Sequence, residues 1–221
     1  MPKVKISIAL CTYNSSRWLP DLLDSLKRQT RSPDELVICD DGSSDATLDL
    51  LREFSARVSW PVRIEQNDRN LGYTKNFEKV IGLCSGEAIF LCDHDDRWHP
   101  KKVERMANAL AEDSSLGMIF CNAALVDENL APLEASAWER TDFTPKEVEA
   151  FNRGETLPIL LKKMVSPGMT MAFRARYRQW LLPIPREWVH DGWILFLLAA
   201  LSRVRALPEI LVDYRIHGKQ N

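Results

Sequence analysis

The sequence predicts an α/β fold with a mostly parallel central sheet and helices on both of its faces. Three observations support this fold class. Short apolar segments alternate with amphipathic ones, several apolar segments end in polar clusters, and no linker or repeat divides the 221 residues. Such alternation is typical of parallel sheets that are covered on both sides. A chain of this length is expected to form one sizeable domain.

The first half of the chain contains five predicted strands separated by helices. The strands are expected at 4–10, 36–39, 62–64, 88–92 and 118–122. Apolar residues at helical spacing predict helices near 18–26, 48–54, 73–84 and 103–110. Ser43 and Ser44 are the predicted N-caps of the second helix, and Pro100 is predicted to open the fourth.

The second half is less regular. Residues 133–144 predict a loop, and 146–163 predict one or two helices broken by Gly154 and Pro158. The remaining predicted elements are a strand at 169–173, an apolar helix at 189–202, and closing strands at 204–207 and 211–216.

Composition narrows the class of protein. The formal net charge of -2 and a pI near 6.1 argue against a nucleic-acid partner. The amino terminus does not resemble a signal peptide, and the longest apolar run, at 193–201, is too short for a membrane span. We therefore expect a soluble protein. The five cysteines form no CxxC pair, which favours buried, inert thiols in a reducing compartment.

The candidate chemistry lies where predicted strands end. Polar residues follow three apolar runs, at 11–14, at 40–42 and at 93–96. The carboxyl ends of parallel strands meet at one edge of a sheet, where ligands bind. Asp93, Asp95 and Asp96 would repel one another without a cation, and their oxygen atoms suit Mg²⁺ or Mn²⁺. The alternative interpretation of both acidic clusters is ordinary turn chemistry.

Five segments together resemble a known family. CTYN at 11–14, DDGSSDAT at 40–47 and DHDDRW at 93–98 resemble the family 2 glycosyltransferases of the GT-A fold. HDGW at 190–193 and YRIHGKQN at 214–221 are similar to its bacterial rhamnosyltransferase-type branch. The segments occur in family order and span most of the chain. The resemblance therefore implies a Rossmann-like sheet and a smaller, acceptor-side C-terminal half.

The resemblance also implies roles for individual residues. It places a catalytic base at Asp191 and metal ligands at Asp93, Asp95 and His217. Tyr13 would stack on a nucleobase, Asp40 would accept a hydrogen bond from the base imide, and Gly168 would admit the donor sugar or the acceptor. The implied nucleotide-sugar site comprises Thr12, Tyr13, Asp40, Asp41, Gly72, Asn76 and Asp93. His94, between two of the aspartates, departs from the small or amide residues frequent in the family.

The activity implied by the resemblance is the metal-dependent transfer of a sugar, with rhamnose as the candidate. The donor would be a dTDP- or UDP-linked sugar, and the cofactor Mg²⁺ or Mn²⁺. The acceptor would be a glycan or lipid-linked glycan in bacterial surface glycan synthesis, which implies a cytoplasmic protein at the inner face of the membrane, peripherally associated. One domain over 1–221 would divide into a nucleotide-sugar half, 1–127, and an acceptor half, 128–221, truncated at its C-terminus.

Physical chemistry agrees with these roles. A divalent cation stabilises the charge left on a departing diphosphate, and a carboxylate can take the proton of the attacking hydroxyl. A single displacement inverts the anomeric centre. The alternative for Asp191 is a helix N-cap, and the alternative for His217 is an exposed histidine near a frayed terminus.

Two other functions remain open. One is a catalytically silent nucleotide-sugar-binding module. The other is a nucleotidyltransferase that makes nucleotide sugars, although the basic, glycine-rich first loop usual in that class is absent. The GxSxG, GxGxxG and P-loop motifs are also absent.

Overall fold

The computed structural model describes residues 4–218, and within them nine strands form a single sheet. In chain order these strands are β1 (Ile6–Thr12), β2 (Glu35–Asp40), β3 (Val62–Gln66), β4 (Ala88–Cys92), β5 (Arg97–Trp98), β6 (Leu116–Val126), β7 (Pro132–Ser136), β8 (Met171–Arg174) and β9 (Arg203–Arg215). The four strands predicted first in the chain are all present.

Helices connect most of the strands within the same range. They are α1 (Leu19–Lys27), α2 (Thr47–Ser55), α3 (Tyr73–Leu83), α4 (Lys102–Glu112), α5 (Ala137–Arg140), α6 (Pro145–Asn152), α7 (Leu157–Leu160), α8 (Arg178–Leu181) and α9 (His190–Leu201). Two 3₁₀ turns, Gly168–Thr170 and Ala175–Tyr177, flank β8. No helix in residues 4–218 is both long and apolar enough to cross a bilayer.

The order of strands across the sheet is β3-β2-β1-β4-β8-β6-β9-β5, with β7 paired to β6. Strands β1 to β4 are mutually parallel, and β9 is parallel to β6. Strand β8 is antiparallel to both β4 and β6, so those two strands share a direction. The predicted mostly parallel sheet is therefore confirmed, and the carboxyl ends of β1, β2 and β4 meet at one edge.

Both faces of the sheet are covered, as predicted. Every residue of β1 is buried. Alternate side chains, such as Ile8, pack toward α1, α2 and α4, whereas the intervening ones, such as Ala9, pack toward α3, α6 and α9. Burial on both sides explains why the central strands are nearly continuous apolar runs. All five cysteines are free and buried in this core, which confirms that prediction.

The predicted loop at 133–144 is wrong, because most of it is β7 and α5. Ser136 caps α5 by accepting from the Glu139 backbone N–H, and the Glu139 carboxylate accepts from the Ser136 N–H in return. This capping box was present in the sequence. Strand β7 had no such signal, since its residues are largely exposed and it forms by pairing with β6.

The predicted caps of the second helix are also wrong. Helix α2 begins at Thr47, whose N–H donates to Asp45 Oδ1 over 3.0 Å. Ser43 instead donates its hydroxyl to Asp40 and accepts from the backbone N–H of Asn14. Ser43 therefore bonds to Asp40 at the end of β2 and does not cap α2.

The two predicted closing strands form one strand, β9. Its pairing with β6 shifts register between Leu207 and Ile210, where Cys121 and Asn122 are the partners. Pro208 lies within this shift, where its missing N–H breaks no ladder hydrogen bond. The strand therefore continues past the proline to the segment that carries His217. Pro158 likewise does not break a helix but lies in the first turn of α7.

Candidate active site

A cavity of about 570 Å³ opens at the carboxyl ends of β1 and β4. Its walls are the residues that follow these strands, the first turns of α3 and α9, and the turn Gly168–Thr170. Of the predicted site residues, all except Asp40 and His217 line it. Those that do are Thr12, Tyr13, Asp41, Gly72, Asn76, Asp93, Asp95, Gly168 and Asp191.

Thr12 and Asp40 lie side by side at the ends of β1 and β2. The Thr12 hydroxyl donates to Asp40 Oδ1 over 2.9 Å, and the Ser43 backbone N–H donates to Oδ2 over 2.9 Å. Asp40 is 0% exposed. It therefore lies behind the cavity wall, and a direct hydrogen bond from a nucleobase would require this network to open. Tyr13 is half-exposed at the cavity mouth.

Asp41 faces the cavity and organises the segment at 67–72. Its Oδ1 accepts from Asn67 Nδ2 over 2.7 Å and from the Leu71 N–H over 2.8 Å, while Oδ2 accepts from the Gly72 N–H over 2.9 Å. Gly72 has φ near 81°, a left-handed conformation that glycine adopts without strain. The carboxylate thus fixes the turn that precedes α3.

Asn76 joins the same wall from the first turn of α3. Its Nδ2 donates to the Cys39 carbonyl over 2.8 Å, and its Oδ1 accepts from Asn67 over 2.9 Å. The side chain is almost fully buried. Asn76 therefore cross-links β2 to α3 while it lines the cavity.

Three carboxylates follow β4. Burial, together with the nearby charges of Asp95 and Asp191, raises the pKa of Asp93 to about 8. Burial and the nearby charges of Asp95 and Asp93 raise the pKa of Asp96 well above its usual range. Asp96 Oδ1 accepts from the Arg215 N–H over 3.0 Å, but its Oδ2 is buried without a hydrogen-bond partner among the described residues. A nearby cation would relieve this repulsion.

The end of β9 brings His217 to these carboxylates. Its Nε2 lies 2.9 Å from Asp95 Oδ2, and its ring stacks on Trp18 with centroids 5.3 Å apart. The side chain is 6% exposed, so the alternative of an exposed terminal histidine is wrong. Arg215 anchors the segment by donating to the backbone carbonyls of Asp95 and Glu128.

The side chains of Asp95, Asp96 and His217 fit a divalent cation that takes few protein ligands. Asp95 and His217 are adjacent, and Asp96 Oδ2 is unpartnered behind them. Within residues 4–218, no three His, Cys, Asp or Glu side chains form a complete metal cage. Mg²⁺ characteristically uses one or two carboxylates and completes its coordination with water and substrate phosphates, and Mn²⁺ also favours oxygen ligands.

Asp191 lies across the cavity, in the first turn of α9. Its Oδ2 accepts from the Gly168 N–H over 3.1 Å, and its Oδ1 accepts from the Gly192 N–H. The cap position belongs to Val189, so the N-cap interpretation of Asp191 is wrong. Gly168 lies close to the first turn of α9, because a Cβ at this position would lie 2.9 Å from His190 Nε2.

His190, which was not predicted as a site residue, also lines the cavity. Its ring stacks on Phe77 with centroids 3.8 Å apart, and neither ring nitrogen has a hydrogen-bond partner among the described residues. Burial lowers its pKa to about 4. A histidine beside an aspartate on a helix gave no signal, since neighbouring positions point in different directions.

Lys102 was overlooked as well. It is 0% exposed, and its Nζ donates to the Met169 carbonyl over 2.5 Å behind the cavity. One signal could have identified it: Lys102 shares the helical spacing of Met106 and Leu110, which are both buried in the core. A lysine on the apolar face of a helix is rarely buried without a specific partner.

Comparisons with known proteins agree with this architecture. The sequence profile described as Glycosyl transferase family 2 matches residues 7–129. An uncharacterised glycosyltransferase from Nostoc sp. is 27% identical over 99% of the chain, and one from Haemophilus influenzae is 25% identical over 97%. The chain spans 66% of the length of each relative, slightly less than two thirds.

Solved structures share the fold. Residues 1–349 of TarS from S. aureus, in complex with UDP, superpose with a TM-score of 0.73 at 20% identity, covering 96% of this chain and 60% of that 1–349 chain. The mannosyltransferase PcManGT from Pyrobaculum calidifontis, in complex with GDP-Man and Mn²⁺, superposes with a TM-score of 0.77 at 16% identity, covering 99% and 59%. These similarities confirm the predicted GT-A fold. Because the family profile covers more than half of its residues, this chain belongs to glycosyl transferase family 2.

Proposed function

We propose that the chain transfers a glycosyl group from a nucleoside diphosphate sugar to an acceptor hydroxyl. The observation that carries this proposal is the placement of Asp191 opposite the carboxylates that follow β4, in one cavity. The two sides are close enough for Asp191 to raise the pKa of Asp93. Group transfer from a diphosphate needs this pairing, with a site for the leaving group on one side and a base on the other.

The proposed donor is a dTDP- or UDP-linked sugar, with rhamnose as the candidate sugar. Structural neighbours bind UDP, UDP-GlcNAc and GDP-Man, which supports a nucleotide sugar in this cavity. In our proposal Tyr13 stacks on the base at the cavity mouth, while Thr12 and Asp41 shape the pocket beneath it. Gly72 and Asn76 lie along the nucleotide. Asp40 supports Thr12 from behind.

The proposed cofactor is Mg²⁺ or Mn²⁺, held by Asp95 and His217, with Asp93 beside them. Support comes from the contact between these two side chains and from the Mn²⁺ bound by PcManGT. When bound, the cation neutralises negative charge on the departing diphosphate. Arg215 keeps the carboxylate loop in place through the Asp95 carbonyl.

Asp191 is the proposed general base. Its carboxylate accepts the proton of the attacking acceptor hydroxyl, and the Gly168 N–H holds that carboxylate toward the cavity. A single displacement with one base inverts the anomeric centre, whereas retention by double displacement would need a nucleophilic carboxylate in addition.

We propose that the two halves of the chain divide the work. Residues 1–127 supply the nucleotide pocket, and the family profile matches nearly the same range. Residues 128–221 supply the base and the rim where an acceptor would enter, which includes the half-exposed Val189. The acceptor proposed is a glycan or lipid-linked glycan, and a lipid-linked acceptor would bring the protein to a membrane surface.

A panel of nucleotide sugars tests this function. Purified protein with Mn²⁺ is offered dTDP-rhamnose, UDP-glucose, UDP-GlcNAc, GDP-mannose and ADP-glucose, and both donor hydrolysis and thermal stabilisation are measured. We expect the pyrimidine donors to be hydrolysed and to stabilise the fold. A purine preference would contradict the donor assignment, and no response to any donor would contradict the function.

A further inference from the structure

Lys102 is a buried cation beside the proposed active site. It lies in the first turn of α4 and is 0% exposed, like Met106 and Leu110 on the same face of the helix. Burying an ammonium group is unfavourable unless hydrogen bonds and nearby charges compensate. Its place among core residues therefore calls for a specific role.

Two contacts hold the ammonium group. Its Nζ donates to the Met169 carbonyl over 2.5 Å, and it lies 3.1 Å from the centre of the Trp98 ring. Cation–π contact with a desolvated indole is favourable. Burial lowers the pKa of Lys102 to about 8, while the nearby charges of Asp96 and Asp93 oppose this shift. The hydrogen bond to Met169 connects Lys102 to the cavity wall.

The turn Gly168–Thr170, which Lys102 holds through the Met169 carbonyl, is connected to both sides of the cavity. The Gly168 N–H donates to Asp191 Oδ2 over 3.1 Å, and the Met169 backbone is close enough to Asp93 to oppose the rise in the pKa of that carboxyl. The Thr170 N–H donates to the Pro167 carbonyl, which closes the turn. One short turn therefore contacts the proposed base, a carboxylate of the leaving-group side and the buried lysine.

We propose that Lys102 is a positioning residue that fixes the turn Gly168–Thr170 and, through the N–H groups of Gly168 and Met169, sets the placement of Asp191 relative to Asp93. This inference rests on the glycosyl transfer proposed above. Lys102 touches neither substrate nor the reacting atoms in this proposal. Its expected effect is on the geometry of transfer, and nucleotide affinity should be retained, because its hydrogen bond is to this turn and not to the residues at 12–13, 41 and 72–76 that line the proposed nucleotide pocket.

Lys102→Met tests the proposal, since methionine keeps an unbranched, apolar chain but loses the donor. Lys101→Met, at the exposed neighbouring position, is the matched control. We expect Lys102→Met to lower kcat by roughly 10- to 100-fold, as a displacement of about 1 Å can do. The Kd for the nucleoside diphosphate and the KM for the donor should match those of Lys101→Met. Unchanged kcat, or a parallel loss of affinity, kcat and melting temperature, would overturn the proposal.

A second variant acts on the turn Gly168–Thr170 from the opposite side. In Gly168→Ala the new Cβ would lie 2.9 Å from His190 Nε2, so the turn or the His190 ring must shift. We expect the same loss of kcat with retained affinity. If both changes act through this one turn, the double variant should lose little more kcat than the worse single variant does. Fully multiplicative losses would show that Lys102 acts elsewhere.

Amide hydrogen exchange gives a readout that needs no activity. In Lys102→Met, exchange in a peptide that contains residues 166–171 should become faster, while Lys101→Met leaves it unchanged. A wild-type protein that turns over no donor would refute the proposed function. The exchange rates would still decide whether Lys102 holds this turn, and equal rates in the two variants would refute the positioning role.

Discussion

Adjacent aspartates in this site have different surroundings. Asp40 is enclosed by Thr12 and Ser43, whereas Asp41 faces the cavity and fixes the turn before α3. Asp96 is buried with one oxygen unpartnered, while Asp95 lies against His217. Side chains one position apart at a strand end point in different directions, so neighbours in an acidic cluster take separate roles.

Asp191→Asn tests the proposed base. The amide keeps the shape of the side chain but cannot take a proton, so turnover should fall by roughly 10²–10⁴-fold while nucleoside diphosphate affinity is retained. Asp49→Asn is the control, because Asp49 is an exposed aspartate in the first turn of α2. Steady-state kinetics, calorimetry and melting temperature are measured for both variants. Preserved turnover in Asp191→Asn would remove the base assignment.

Asp95→Asn and Asp96→Asn separate metal binding from loop support. Asp95 contacts His217, while Asp96 accepts from the backbone of Arg215. UDP is titrated by calorimetry with Mn²⁺ and, separately, with EDTA. We expect Asp95→Asn to weaken the Mn²⁺-dependent affinity by roughly tenfold or more, and Asp96→Asn to have a smaller effect. His217→Ala should resemble Asp95→Asn. Equal wild-type affinity in Mn²⁺ and EDTA would contradict the metal site.

At the scale of elements, the segment at 67–72 depends on a contact from outside itself. It joins β3 to α3, and Asp41 from the end of β2 accepts its backbone N–H groups. Strand β9 acts similarly at the other end of the chain, because it carries Arg215 and His217 to the loop after β4. The cavity is thus built from connections between elements distant in sequence.

Asp41→Asn should loosen the segment before α3. The amide lacks the charge that strengthens the bonds to Leu71 and Gly72, and its NH₂ group cannot accept from either N–H. We expect the free energy of unfolding to fall by about 2–3 kcal/mol in urea denaturation. Asp68→Asn, exposed in the same segment, is the control and should change stability by less than about 0.5 kcal/mol. Equal stability of the two variants would contradict this role of Asp41.

For the whole molecule, the gathering of carboxylates at one sheet edge affects stability. Folding raises the pKa of Asp93 from 3.8 to about 8, and burial raises the pKa of Asp96 in the same direction. Between pH 3.8 and about 8 the folded state therefore binds more protons than the unfolded state. The contribution of these carboxyl groups to the free energy of unfolding is therefore present at low pH and is lost as pH rises toward about 8. His190, with its pKa lowered from 6.5 to about 4, acts in the opposite sense, but only below pH 6.5.

In EDTA we accordingly expect the free energy of unfolding to decrease between pH 6.5 and 8. Each such carboxyl contributes at most about 1.4 kcal/mol per pH unit. Urea denaturation across this range measures the slope. Asp93→Asn should make the slope shallower, while Asp49→Asn should leave it unchanged. A stability that rises with pH over this interval would contradict the protonated state of Asp93.

Much of the fold could be predicted from local patterns. The central strands are buried on both faces, so their apolar runs are visible in the sequence, as are the stripes of α1 and α3. Elements whose stability comes from a distant partner could not be predicted. Strand β7 is exposed and exists because β6 pairs with it, and Ser43 does not cap α2 because Asp40 engages it.

The sequence by itself determined the fold class, the family and the chain positions of the acidic clusters, because periodicity and motif spacing are local properties. Only the tertiary structure decided which of those residues share a cavity. It placed Asp40 behind the wall, brought His217 to Asp95 and set Lys102 beneath the turn that holds Asp191. The physical reason is that burial and hydrogen-bond partnership depend on contacts between segments as distant in sequence as Trp18 and His217, which no local pattern records.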